Sequence, residues 1–565
     1  MRGLQCLRVL AVLAGAAAVG CGSSQSNAGA DGGGASGSAD SNAGEGGSAA
    51  DAGGADGQAD GTIGSDAGGG ADGKAGSVDG AAADQAASDQ GASDAASGTG
   101  PGCDGAVGTS WDAAPPVLIA KNDYISQPEL GVDRLGNAVV VWEQQTNQQV
   151  YAIWASSRPA GGAWQAPTAL SNEDHPAMGL DPNMIEIPPQ LAVSDNGTGV
   201  AVWPMHFNLV PIQLQASHFT PGQGWDGPVV INALPADAGV GPPGVRGVGN
   251  GQSGPQVAID PNGNAIAVWA EGVQDVDAQA PNYDPQVYAR RYGAAGGWGP
   301  AALLSANGQA IPGTSQTTLD SETPHVAVDP AGDAVAVWSV SSTKSGGAEA
   351  VQAAHYDAAT NTWGAPAFVD VCAGCSTAIS GYQTTPRVAV DAQGNAIAIW
   401  NRFDGHGVWS SRFTRAGGWS APQDISDSKN EQSADDSPRI GMDAAGNAIA
   451  IWFEGPFLHA NHYKAGAWGS PVTLASNVGD QLIQPVFDSA GNALFVWSDT
   501  STIDLVRFDG ATATFGAPQV IATATYAGSP LIATRGGACG GALAVYGATP
   551  VEAGANKGIF AIEQR

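Results

Sequence analysis

From Gln256 to Trp269 the chain alternates side-chain character twice, with turn residues between. Gln256-Val257-Ala258-Ile259 leads into Asp260-Pro261-Asn262-Gly263-Asn264, and Ala265-Ile266-Ala267-Val268-Trp269 follows. Period two around a Gly-containing turn predicts a β-hairpin. The pattern returns at 127–142, 189–203, 324–338, 386–400, 438–452 and 485–497, each time closing on Trp. An altered copy at 530–546 closes on Tyr546 and has Arg535 where most copies have Asp. The second copy has Ser194 in that slot, with Asp195 one residue later.

A third alternating run follows each hairpin, as in Val150-Tyr151-Ala152-Ile153-Trp154 and Val408-Trp409-Ser410-Ser411-Arg412-Phe413. After a Gly-rich turn comes a fourth run opened by an aromatic residue and Pro, such as Trp225/Pro228, Trp363/Pro366 and Phe515/Pro518. Pro cannot donate to a central ladder, so the fourth run is predicted at a sheet edge. Tandem four-strand units of 45 to 69 residues are the signature of a β-propeller. The chain has eight hairpins and eight third runs, the last at Ile559–Glu563, but a fourth run (Trp111, Pro115, Pro116, Val117–Ile119) precedes them all. The expected fold is therefore an all-β, eight-bladed propeller over residues 109–565. Its last blade would be completed by the N-terminal strand, with Trp111–Ala120 beside the final third strand.

Composition changes the picture before residue 109. Arg2 and Arg8 precede an apolar run of eleven residues, Val9 to Val19, which ends at Ala18-Val19-Gly20-Cys21. That run is too short to span a bilayer and reads as a cleaved export signal over 1–20. The tetrapeptide resembles the lipobox of bacterial lipoproteins. The resemblance implies lipidation of Cys21 and, with Gly22 rather than Asp after it, a place at the outer membrane, facing either periplasm or medium. Residues 21–108 are almost wholly Ala, Gly, Ser and Asp; between 22 and 102 stand twelve acidic residues and one base, Lys74. Such a segment cannot bury a core and is expected to be a disordered linker, with a span of roughly 50 Å for a random coil of its length. The whole chain carries 21 Lys and Arg against 53 Asp and Glu, a formal net charge of −32. That balance argues against nucleic acid as a partner. The membrane is expected to be met only through the lipid, with a monomer favoured.

Cys103 lies just before the N-terminal strand and Cys539 in the first turn of the last blade. Closure would bring both to one face of one blade, which predicts a Cys103–Cys539 disulfide, with a local Cys372–Cys375 bridge. Cys-Ala-Gly-Cys could also be a redox pair or half a zinc site. It lacks a thioredoxin-like βαβ context and a second ligand pair, so no metal or cofactor is assigned. The Asp-x-x-Gly-Asn turn (Asp133, Asp260, Asp329, Asp391, Asp443, Asp488) resembles the hairpin turns of NHL-type and Asp-box propellers. Its physical reading is local: Asp accepts from backbone N–H groups a few residues on, and Gly supplies the left-handed turn conformation. One carboxylate per turn is too few for calcium.

Function should lie in what differs between blades. Connections at 171–188, 232–254, 270–285, 305–323 and 370–385 are long and fall on one face. They carry Glu271, Asp275, Asp277 and Asp284; a shorter one carries Asp404 and His406. The residue after the Pro that opens each inner strand should ring the channel mouth there. These residues are Glu129, Gln190, Gln256, His325, Arg387 and Arg439, with Val486 and Leu531 completing the ring. A mixed polar rim suits one asymmetric ligand. The first six are the candidate ligand-binding residues, in a non-catalytic module for a protein or glycan. The alternative is a sialidase-like or other glycan-cleaving propeller, which needs an Arg cluster and a Tyr–Glu or paired-carboxylate set. Arg387 and Arg439 are on adjacent blades, but no third Arg holds that position, and the Phe/Tyr-Arg-Ile-Pro opening of sialidases is missing. No catalytic set is assigned. A third reading is a purely structural envelope component.

Overall fold

The blades follow from a hairpin that folds on local signals and a third and fourth strand that add outward. In the computed structural model the described residues are 111 and 116–564, except 122–127, 148–149, 172–188, 208–209, 233–244, 249–253, 275–284, 343–348, 373–384, 403–406, 427–434, 477, 479–484, 499–500, 524–525, 528–530, 535–541 and 550–557. All lie in one unit, 92–565, and every regular element among them is a β-strand. The proposed signal, the linker, Cys21, Cys103, Cys375 and Cys539 lie outside the described residues. The backbone of Cys372 ends a strand, Ala367–Cys372.

The described residues form eight antiparallel sheets. The inner strands are Glu129–Val132, Gln190–Val193, Gln256–Ile259, Asp320–Val328, Arg387–Val390, Asp435–Met442, Val486–Phe487 and Leu531–Thr534, for blades 1 to 8. Each touches the next, and that of blade 8 touches that of blade 1, so the ring is closed. Closure within blade 8 is as expected. Val117–Lys121 pairs with Gly558–Glu563, Val117 opposite Ala561 and Lys121 opposite Gly558. Trp111 bridges to Gln564. Arg158 of blade 1 meets Glu563 of blade 8 at 3.1 Å, both side chains nearly buried, which ties the first and last blades together.

The turn is built the same way in blades 1, 3, 5, 6 and 7. Asp260 Oδ1 accepts from the backbone N–H of Asn262 (2.8 Å) and Asn264 (2.9 Å), and Asn264 Nδ2 donates to Asp260 Oδ2 (2.7 Å). The donors stand two and four residues on, and Gly263 has φ 88°, which a β-carbon disfavours. In blade 2 the organiser is Asn196 rather than Asp195: its Oδ1 accepts from Ser194 Oγ and from Thr198. Blade 4 has Asp333 where the others have Asn. It keeps the acceptor role, taking the Ala358 N–H at 2.7 Å, but cannot donate to Asp329. Arg415 of blade 5 supplies the missing donor and bridges Asp329 and Asp333.

Trp142, Trp203, Trp269, Trp338, Trp400 and Trp452 are almost wholly buried. Period two sends them to the sheet faces, where they pack between blades: Trp142 lies with Leu543, Val545 and Ile559 of blade 8. Inner strands approach closely. A β-carbon on Gly131 would collide with Val193 of the next blade, and one on Gly441 would meet the Pro485 carbonyl at 2.5 Å.

Candidate functional site

The Pro that opens each inner strand stands five residues before the turn Asp in blades 1, 3, 4, 5 and 6, and five before Ser194 in blade 2. That constant spacing puts the residue after it at one height of the channel. The ladder agrees: Glu129 pairs with Val141, Gln190 with Val202, Gln256 with Val268, His325 with Val337, Arg387 with Ile399 and Arg439 with Ile451. Leu531 shares the register, opposite Val545. Val486 does not. It pairs with Leu494, the position that Gly131 holds in blade 1. Pro485 is only three residues before Asp488, so blade 7 is two residues out of step and Val486 is not a mouth residue. The equivalent position, 484, lies outside the described residues.

The wall continues above this ring. Val245–Val248, Asp320–Glu322, Asp435–Asp436 and Tyr526–Ala527 pair with second strands that run on past the Trp or Tyr, raising blades 3, 4, 6 and 8 on the long-connection face. Thr323, at φ 51° before Pro324, marks the bulge where blade 4 makes this step, and its hydroxyl bonds Ser339 at 2.8 Å. Glu271 is part of this wall and not a loop acid. It lies in Ala265–Gln274, is buried, and accepts from Trp269 Nε1 at 3.0 Å. Asp275, Asp277, Asp284, Asp404 and His406 lie outside the described residues.

Mouth side chains bond sideways and back. Gln190, Arg387 and Arg439 each donate to the carbonyl of the Pro before them, at 3.2, 3.0 and 3.3 Å. Gln190 Nε2 also donates to Glu129 Oε1 at 3.3 Å. His325 Nδ1 accepts the Val388 N–H from blade 5 at 3.3 Å, which leaves its proton on Nε2 when the ring is neutral.

All six side chains are half-exposed, because they face the lumen. The surrounding strands nevertheless remove much of the water around them, and this shapes their charges. Burial pushes the Glu129 carboxyl up to about 8, against the pull of Gln190 and Arg439. Burial brings Arg439 down to about 10, opposed by Glu129. It holds Arg387 well below its usual range, and the Arg439 guanidinium adds to the effect. His325 is held well below its usual range by burial, then by Arg387 and Arg439. At neutral pH the ring therefore holds a protonated Glu129 and a neutral His325. Arg387 has no carboxylate partner among the described residues.

A second concavity of about 500 Å³ lies between the outer strands of blades 3 and 4, lined among others by Arg291, Tyr356 and Trp363. No group of three or more potential metal ligands occurs among the described residues.

No protein-family model and no curated protein matches the chain. Solved structures do, with low overall similarity. A protein of unknown function from Dyadobacter fermentans matches at 11% identity and TM-score 0.34, over 55% of this chain and 93% of that one. A Hadza microbial sialidase matches at 14% and 0.34, over 64% and 71%. An α-L-arabinofuranosidase of Fusarium graminearum matches at 12% and 0.34, over 55% and 92%. Likeness at this level assigns no activity to the chain.

Proposed function

We propose that the protein is a non-catalytic binding module whose propeller presents the channel mouth on its long-connection face to a protein or glycan ligand. The observation that carries this is the ring itself. At one height, six blades present one Glu, two Gln, one His and two Arg, on a scaffold whose turns and Trp residues repeat. Equal blades would offer equal sites; this ring offers one asymmetric site. Glycan cleavage by the usual route needs two carboxyl groups across the scissile bond, and Glu129 is the single carboxyl among the described ring residues.

Purified protein on a glycan and peptide array is expected to bind a restricted ligand set without turnover. An Arg387→Ala/Arg439→Ala variant should lose at least tenfold in affinity, since truncating paired charged contacts costs about 2 kcal/mol or more. Release of reducing sugar would overturn the reading in favour of an enzyme.

We further place the module at the cell envelope on a lipid at Cys21, exported and held at the outer membrane. The support is the Ala18-Val19-Gly20-Cys21 sequence behind its short apolar run. Wild-type protein should sediment with membranes and a Cys21→Ser variant should not; equal sedimentation would remove the anchor.

A further inference from the structure

We propose that the concavity between the outer strands of blades 3 and 4 is a second binding site, separate from the mouth, for a uronic acid residue of an acidic saccharide. Arg291 would take its carboxylate and Trp363 its ring. The inference goes beyond the binding-module reading and does not depend on the mouth.

Two departures of blade 3 from its neighbours open the space. In blades 2, 4, 5, 6 and 7 the aromatic residue near the end of the third strand is followed by Thr220, Asp357, Thr414, Lys464 or Asp509; in blade 3 it is followed by Gly293. The fourth run is also one residue shorter there. Trp298-Gly299-Pro300 stands where blade 4 has Trp363-Gly364-Ala365-Pro366. The outer strand of blade 3 is accordingly one continuous piece, Gly297–Leu303, where blade 4 has Thr362–Trp363 and Ala367–Cys372.

Both changes fall on one gap. Period two sends Ala289, Arg291 and Gly293 to the same face of their strand, and Ala289 lies with Ala354 and Tyr356 of blade 4. The Arg291 guanidinium lies over Gly293: a β-carbon there would stand 3.4 Å from Nη1. A β-carbon on Gly296 would meet nothing within 4 Å. The resulting volume of about 500 Å³ lies within the range of small-ligand pockets, about 300–1,000 Å³.

The lining is selective. Among the described residues its single charge is that of Arg291, with no carboxylate beside it, and Arg291 makes no hydrogen bond or ion pair with any of them. A guanidinium so placed can hold a carboxylate through two parallel N–H groups. Arg412 and Arg507 share its register in blades 5 and 7, opposite Ile397 and Leu494 as Arg291 is opposite Ile266. Two residues on, however, they have Thr414 and Asp509 in place of Gly293. Blade 4 supplies the other wall. Trp363 is half-buried and rests on the buried Tyr356, ring centroids 5.3 Å apart, so it is a fixed apolar surface against which the C–H face of a pyranose can pack. Tyr356 O–H donates to Asn361 Oδ1 at 2.6 Å, which leaves the Asn361 amide N–H groups for ligand hydroxyls. An extended acidic peptide would have to add along Gly297–Leu303, where Pro300 cannot donate. A compact acidic sugar has no such requirement.

The test is titration calorimetry of the full-length protein at neutral pH with digalacturonate, cellobiose, acetate and an acetylated Asp-Asp dipeptide. Digalacturonate is expected to bind, and the other three to bind about tenfold more weakly or not at all, because each lacks the charge or the ring. Arg291→Gln, which removes the charge, and Gly296→Leu, which fills the space, should each lose about tenfold in digalacturonate affinity. Thermal unfolding checks that the variants fold. One acts by charge and the other by volume, so either alone decides, and the wild-type comparison of ligands decides without them. Cellobiose or acetate bound as well as digalacturonate, tighter binding of the dipeptide, or undiminished binding in a folded Gly296→Leu or Arg291→Gln would overturn the inference. Each of these results would leave the mouth reading standing, since that reading is tested by Arg387→Ala/Arg439→Ala on the arrays.

Discussion

A chain that begins at residue 122 is expected to lose on the order of 5 kcal/mol of stability, comparable with the whole margin of an ordinary domain. The missing strand, Val117–Lys121, is the outer strand of blade 8. It buries Ile119 and Ala120, and they pack with Ile559, Ala561 and Trp142. Burying one Ile is worth about 2–3 kcal/mol. The ladder to Gly558–Glu563 adds about 1 kcal/mol per hydrogen bond. Its loss would leave Gly558–Glu563 as an open edge, which invites pairing with other chains. Limited proteolysis and thermal unfolding should show the loss, and sizing should show self-association. A peptide of residues 109–121 added in trans should restore part of the stability. A truncated chain as resistant as the full one would show that this strand does not hold the ring shut.

Arg415→Ala is expected to destabilise the protein by about 2–3 kcal/mol, below the usual 3–5 for breaking a buried pair because the guanidinium is half-exposed. The variant leaves Asp329 and Asp333 facing each other with side chains 1% and 9% exposed. Asp333→Asn restores the residue that serves blades 1, 3, 5, 6 and 7, whose amide can donate to the turn Asp. Added to Arg415→Ala it should recover most of the stability, a coupling that a double-mutant cycle in urea would measure. Additive effects would mean that Arg415 acts elsewhere.

Mouth residues were legible where spacing was constant. Counting from Pro located Glu129, Gln190, Gln256, His325, Arg387 and Arg439, since five residues separate Pro from the turn in those blades. The same count failed at Val486, because blade 7 shortens the interval; counting back from Asp488 would have flagged it. Glu271 was mistaken for a loop acid because the second strand outruns its Trp. The signal was available in the repeated polar residue two after the Trp, as in Trp142-x-Gln144, where the indole bonds Gln144 at 3.0 Å. The odd residue at Asp333 was visible too, but its partner was not: Arg415 lies 82 residues away.

The sequence by itself determined the strand order, the number of blades, the closure by the N-terminal strand and the height of the polar ring. Those features rest on interactions spanning a few residues: period-two burial, Asp-to-backbone bonds within a turn, and Pro at fixed distance from it. Only the tertiary structure decided the chemistry of the mouth. That Gln190 bonds Glu129 between blades, that two arginines hold one height on neighbouring blades, and that His325 takes the Val388 N–H from blade 5 are consequences of residues far apart in sequence meeting around the channel.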